Sequence, residues 1–209
     1  MASAVTAMGR TDRHEGEWAN NPNDRGKETY RGIARGPHPR WKGWPIIDQE
    51  KKKLGSQPPY GTKTYRVWVE KLNTALRRLP LLQRHVFDFF KEVFWDRNKL
   101  DEIVDQDLAN WLYDMAVNTW DDGNRAAQRA VGVEPDGELG PVSVAALNAA
   151  DPREIIRKAT AEMVEHYKKE ARKPGQLEHL PGWLARLGIP KDERAAIVAS
   201  IAKEVGHVA

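Results

Sequence analysis

The sequence predicts a mostly α-helical fold with one small irregular β or loop region, and three observations carry that. Apolar residues recur at helical spacing across 65–79, 81–95, 104–119 and 152–172. Between these stretches stand Pro80, Gly140-Pro141, Asp151-Pro152 and Pro174-Gly175, residues that start or stop helices. Residues 16–36 instead crowd glycine, proline and asparagine together, which reads as turns around a small irregular hairpin.

Taken in order, 2–13 is alanine-rich with Val5 and Met8 three apart, a short helix with one packed face. Residues 37–61 carry His38, Pro39, Trp41, Trp44, the charge run 50–53 and Pro58-Pro59, and read as an exposed excursion. Val67, Trp68, Leu72, Ala75, Leu76 and Leu79 mark the first long helix. The 81–95 stretch places Leu82, Val86, Phe89, Phe90, Val93 and Phe94 on a broad apolar face. Leu108, Leu112, Met115 and Ala116 turn inward on 104–119, and 123–131 is short and alanine-rich. Gly140-Pro141 opens a helix to about Asn148, and Asp151-Pro152 opens a long one carrying Ile155, Ile156, Ala159, Met163 and Tyr167. Two closing helices follow at 180–187 and 192–205. Trp68, Trp111, Trp120 and Trp183 are assigned to packing. The sharpest change in composition, near Trp95-Asp96, divides the chain into 1–95 and 96–209, two parts expected to pack into one globule.

Composition narrows the chemistry. The 209 residues include no cysteine, which excludes disulfides, zinc–thiolate sites and cysteine nucleophiles. The 33 basic residues exceed the 30 acidic ones by a net +3, a mild excess that suits a polyanionic partner such as nucleic acid or a bacterial envelope. Basic residues are interspersed with acids rather than clustered, against a nucleic-acid module. Six histidines show no metal-ligand spacing, so no metal and no cofactor are expected. Residues 1–8 are too short and weakly apolar for a secretory core, and no apolar run reaches the roughly 18 residues of a membrane span. The expectation is synthesis in the cytoplasm without a signal peptide.

The chemistry-bearing stretch is Arg13 to Ile33. General acid catalysis needs a carboxyl that stays protonated until it donates to a leaving group. A second group commonly stabilises the developing charge or activates water. Glu15 stands where a helix gives way to a turn, with Trp18 three residues on as an apolar neighbour that raises a carboxyl pKa. Asp24 follows on a loop able to fold back opposite Glu15, and Thr29 is placed to hold a water or orient Asp24. His14 adjoins Glu15, but adjacent side chains point apart.

The runs H-E-G-E-W (14–18) and D-R-G-K-E-T-Y-R-G-I (24–33) resemble the phage-type N-acetylmuramidases of glycoside hydrolase family 108, whose pattern is E-G-G-Y followed by D-x-G-G-x-T-x-x-G-I. The resemblance implies a lysozyme-like helical fold, with Glu15, Asp24 and Thr29 as catalytic residues and Trp18 and Tyr30 beside the substrate. Three positions depart from the pattern: Glu17 for the second glycine, Trp18 for tyrosine and Lys27 for glycine. Pointing inward, Glu17 would help keep Glu15 protonated by like-charge repulsion; pointing outward, it is only surface.

Further runs resemble the companion peptidoglycan-binding segment of that family. They are D-M-A-V-N at 114–118, Gln128, D-G-E-L-G-P at 136–141, and Gly182-Trp183 with Arg186, while F-F-K-E-V-F-W-D at 89–96 resembles the family's aromatic helix end before that region. Asn118 suits either a substrate N-acetyl or peptide group or its own helix end. Trp41, Trp44 and Tyr60 suit either the apolar face of a sugar or loop anchoring. Asp136-Gly137 reads as a turn, since D-G-E-L-G lacks the alternating oxygen ligands of a calcium loop.

The resemblance implies hydrolysis of the β-1,4 bond between N-acetylmuramic acid and N-acetylglucosamine by a monomer acting on bacterial peptidoglycan. Such a chain reaches the wall through a phage holin-type pore, as an endolysin does, or by a secretion system. A lytic transglycosylase leaving 1,6-anhydromuramic ends and a non-catalytic wall-binding or scaffold protein are the alternatives.

Overall fold

The computed structural model describes residues 1–11, 17–22 and 27–206. The chain divides into two units, Ala4–Arg97, and Asn98–Ala209 together with Met1–Ser3. The fold is mostly helical, lysozyme-like, with a single small sheet among the described residues.

In the first unit, α1 (Ala4–Thr11) buries Ala4, Ala7 and Met8 and leaves Val5 69% exposed. The packed face therefore runs through the i, i+3, i+4 set of Ala4, Ala7 and Met8, not through Val5. Three short strands follow, β1 (Ala19–Asn20), β2 (Glu28–Tyr30) and β3 (Ile33–Ala34), antiparallel with β2 in the centre.

The 37–61 stretch is not the exposed excursion that its prolines and charges suggest. It contains α2 (Gly43–Leu54), whose Trp44 and Ile47 are buried and which packs on α3 (Lys63–Arg77). The apolar stripe of α2 is narrow because its outer face is a lysine run, so the helical period is hard to see in sequence. The Thr62 hydroxyl caps α3 by accepting the Tyr65 N–H at 3.1 Å, and Tyr65, Trp68, Leu72 and Leu76 line its inner face. Val67 falls off that stripe and is exposed.

Pro80 opens α4 (Pro80–Phe90), where its missing N–H costs nothing. From Lys91 to Asp96 the helix widens to π geometry. The wider turn shifts the inward face, so that Phe94 and the fully buried Trp95 follow Leu82, Val86 and Phe90 into the core.

The second unit is built on α5 (Gln106–Thr119), α6 (Asp122–Ala130), α7 (Pro141–Ala149), α8 (Pro152–Ala171), α9 (Leu180–Arg186) and α10 (Lys191–Glu204). Side chains of Asp105 and Asp151 cap α5 and α8, accepting from Leu108 N–H at 2.8 Å and Arg153 N–H at 2.9 Å. Gly123 is required where α6 meets α5, because a Cβ there would overlap Met115. Met115, Ala126, Ala159, Met163, Ala171, Leu184 and Ile201 share one apolar cluster. The 136–140 turn is fixed from below by buried Gln128, which donates to Asp136 Oδ1 (2.7 Å), Glu138 O (3.0 Å) and Ser143 Oγ (3.0 Å) and accepts from Gly137 N–H. Trp111 and Trp183 do pack, the first donating to Thr160 Oγ1 at 3.0 Å, the second stacked on Tyr167 at 5.4 Å. Trp120 is the more exposed of the set: it closes α5 at φ 57° and is 52% exposed.

Tyr167 offers a direct test of this core. Burial, and then the charge of Asp114, push its hydroxyl pKa up to about 12, and the oxygen has no hydrogen-bond partner among the described residues. Tyr167→Phe removes an unsatisfied polar group and is expected to raise stability by about 1 kcal/mol, read as a higher thermal midpoint. A raised folded-state pKa means stability is lost as pH climbs from about 10 towards 12. The phenylalanine variant should lose less over that window.

Candidate active site

Strand β2 organises the site region. Tyr30 pairs with Ile33 across Arg31 and Gly32, whose φ values of 46° and 80° match a type I′ turn, the tight link that suits twisted strands. Glu28 and Tyr30 face the interior, so by alternation Thr29 points the other way. Its cross-strand partners are Ala19 and Ala34, and Thr29 itself is half-buried.

The interior face holds a charge network. The Glu28 carboxylate accepts from Trp18 Nε1–H at 2.7 Å and Lys51 Nζ at 2.8 Å. Arg35 Nε lies 2.8 Å from its other oxygen, close enough for the charges to attract although the N–H is not aimed along that line. The rest of the Arg35 guanidinium grips Asp48 with two bonds of 2.7 and 3.1 Å and covers the Trp44 ring at 4.5 Å. Trp18 is pinned further by its N–H to Asn73 Oδ1 at 3.0 Å and by edge contact with Trp68 at 5.5 Å. Hairpin, α2 and α3 are thereby locked around one indole.

Burial pushes the Asp48 carboxyl up, but the hydrogen bond and charge of Arg35, then Lys51, outweigh it and hold the group below its ordinary value. A depressed carboxyl contributes stability in full above its unfolded pKa of about 4 and loses it as pH falls through the folded value. Asp48→Asn should therefore flatten the acid limb of a stability-against-pH curve below about pH 4 while lowering stability at neutral pH.

Glu15, Asp24 and His14 lie outside the described residues. Thr29, half-buried, lies on the other side of β2 from Glu28 and Tyr30. Trp18, Tyr30 and Trp44 are each only 2% exposed. Tyr30 accepts from Gln83 at 3.1 Å and Trp44 donates to His38 O at 2.8 Å, so these three rings carry packing instead of offering faces to a sugar. Trp41 is half-buried and borders a cavity. Tyr60, exposed, stands edge-on to Tyr65 at 5.1 Å. Glu17 pairs with Arg77 of α3, the outward arrangement, which compensates its charge. Asn118, in the second unit, donates to Asp114 O at 2.6 Å, the helix-end role.

Sequence reasoning missed Glu28, Arg35, Lys51 and Asn73. The legible signal was the Glu28–Thr29–Tyr30 alternation, where a carboxylate shares a face with an aromatic and so must be buried with partners. Among the described residues no group of histidines and acids is arranged to hold a metal ion, and no helix is long and apolar enough to cross a membrane.

The family description Glycosyl hydrolase 108 matches residues 8–119, which is more than half of the chain. No curated protein matches. Among solved structures, SagA of Brucella abortus aligns with a TM-score of 0.57 at 18% identity over 94% of each chain, a likeness of fold. The family match takes in the whole hairpin and ends at Thr119, the last residue of α5. The chain belongs to glycosyl hydrolase family 108, and it is a glycoside hydrolase that acts on peptidoglycan.

Proposed function

We propose that the chain is an N-acetylmuramidase that hydrolyses the β-1,4 bond between N-acetylmuramic acid and N-acetylglucosamine, with Glu15 as general acid. Glu15 gives its proton to the bridging oxygen as the bond to the muramic anomeric carbon breaks. Asp24 stabilises the cationic sugar or activates the water, whose hydroxyl ends on that carbon while its proton restores the acid–base pair. Thr29 holds the water or orients Asp24. One observation carries the reading: Glu15, Asp24, Thr29, Gly32 and Ile33 stand in family order and spacing. The reading also gives the second unit a wall contact at a cleft of about 360 Å³ lined by Asn118, Asp122, His166, Glu170 and Trp183.

Mass spectrometry of soluble fragments released from purified peptidoglycan tests the proposal. Reducing N-acetylmuramic ends are expected. Anhydromuramic ends would replace hydrolysis with a transglycosylase, in which the muramic 6-hydroxyl attacks in place of water. No release alongside retained wall binding would leave a binding protein.

A further inference from the structure

A cavity of about 590 Å³ opens in the first unit between the 37–42 turn and the side of α4. Its apolar surface is Trp41 and Phe89, with the His38 ring edge-on to Phe89 at 4.8 Å. Trp41 is fixed in place before any ligand arrives. Its indole N–H donates to His85 O at 3.2 Å, and its ring lies beside Tyr30 at 6.4 Å and edge-on to Trp44 at 5.1 Å. The ring also rests on Gly43, where any side chain would collide with it. The residues on either side of Trp41 are Arg40 and Lys42, both exposed and both lining the cavity. Neither has a carboxylate partner among the described residues. On the opposite wall Asp88 is engaged by Arg84 at 2.8 Å, whereas Glu92 is exposed and has no cation partner among the described residues.

The cavity thus presents an apolar surface, two unanswered cations on one wall and one unanswered carboxylate on the other. A neutral sugar would use the apolar surface and could hydrogen-bond the three charged groups, but would compensate none of their charges. A short peptide with carboxylates, a free amine and alkyl segments between them would answer each. We propose that this cavity takes the stem peptide carried by the muramic acid of the glycan, with peptide carboxylates on Arg40 and Lys42, the free amine on Glu92 and alkyl segments against Trp41 and Phe89. This rests on the peptidoglycan-cleaving reading above and adds to it a preference for peptide-bearing over bare glycan.

The test is calorimetric titration of the full chain with a soluble N-acetylglucosaminyl-N-acetylmuramic acid tetrapeptide containing a diamino acid, and with the same disaccharide without peptide. Neither probe contains the proposed scissile bond, so binding is read without turnover. The native chain is expected to bind the peptide-bearing probe about tenfold more tightly, the size of two partly screened charge contacts. The difference should shrink in high salt. Arg40→Ala with Lys42→Ala should erase the preference while leaving the bare disaccharide's affinity and the thermal midpoint unchanged. Glu92→Gln should weaken only a probe whose amine is free, not one that is acetylated. Equal native affinity for the two disaccharides, or a preference that survives the double substitution, would overturn the inference. The muramidase reading is judged separately by the released ends, so either can fail while the other stands.

Discussion

Glu15→Gln is expected to reduce release of reducing ends from peptidoglycan by about a thousandfold, within the range that a general acid contributes. Glutamine keeps the size and one hydrogen-bonding oxygen but has no proton to give the leaving oxygen, so the loss falls on kcat. Wall binding and thermal midpoint should remain near native values, which separates lost chemistry from lost folding. Asp24→Asn should cost less, because once the leaving oxygen is protonated water can attack the anomeric carbon without full assistance. Glu17→Gln is the informative control. Its carboxylate is paired with Arg77, so that variant should stay within about twofold of native activity, as expected when an exposed ion pair is removed. A fall in activity comparable to Glu15→Gln would move the acid to the wrong residue. An unchanged Glu15→Gln would remove the assigned mechanism altogether.

The largest expected change in stability comes from Glu28→Ala, at about 3 kcal/mol, because it removes one member of a buried ionic cluster and strands the others. Glu28 is only 7% exposed, and its loss leaves the Trp18 indole N–H without its acceptor. Arg35 and Lys51 would then share the single carboxylate of Asp48. For a chain of this size the thermal midpoint should fall by roughly 10 °C. Glu28→Gln keeps an acceptor for the indole and should cost less. Adding Lys51→Met to Glu28→Ala removes a stranded cation and should recover part of the loss, a coupling that a double-mutant cycle measures. Additive effects would show that Lys51 and Glu28 do not interact in solution. Since the cluster holds Trp18 only three residues after Glu15, loss of activity in Glu28→Ala should be judged at a temperature where the variant is still folded.

Most helices were legible because their apolar spacing is set by one buried face. Leu72 and Leu76, Leu108 and Leu112, and Ile155, Ala159 and Met163 recur at the helical period, with Pro80, Pro141 and Pro152 at the starts. α2 was not legible, because Trp44 and Ile47 are a short stripe among prolines and lysines whose burial depends on α3 arriving from later in the chain. The same limit applied to single side chains: Val5 and Trp120 look like core residues by type, and only the surrounding packing leaves them exposed.

The sequence by itself determined the mostly helical fold, the hairpin around Thr29 and the order and spacing of Glu15, Asp24 and Thr29, through which the chain resembles its family. These are properties of local spacing and of residue chemistry. Only the tertiary structure decided that Trp18, Tyr30 and Trp44 serve packing, that Glu17 turns to Arg77, and that Glu28 ties hairpin to helix. It also set Trp41 between two exposed cations beside a cavity. Each of those depends on which distant residue supplies a partner, as Asn73 does for Trp18 from 55 positions away. No local pattern carries that information, because a buried polar group is settled by whatever three-dimensional neighbour satisfies it.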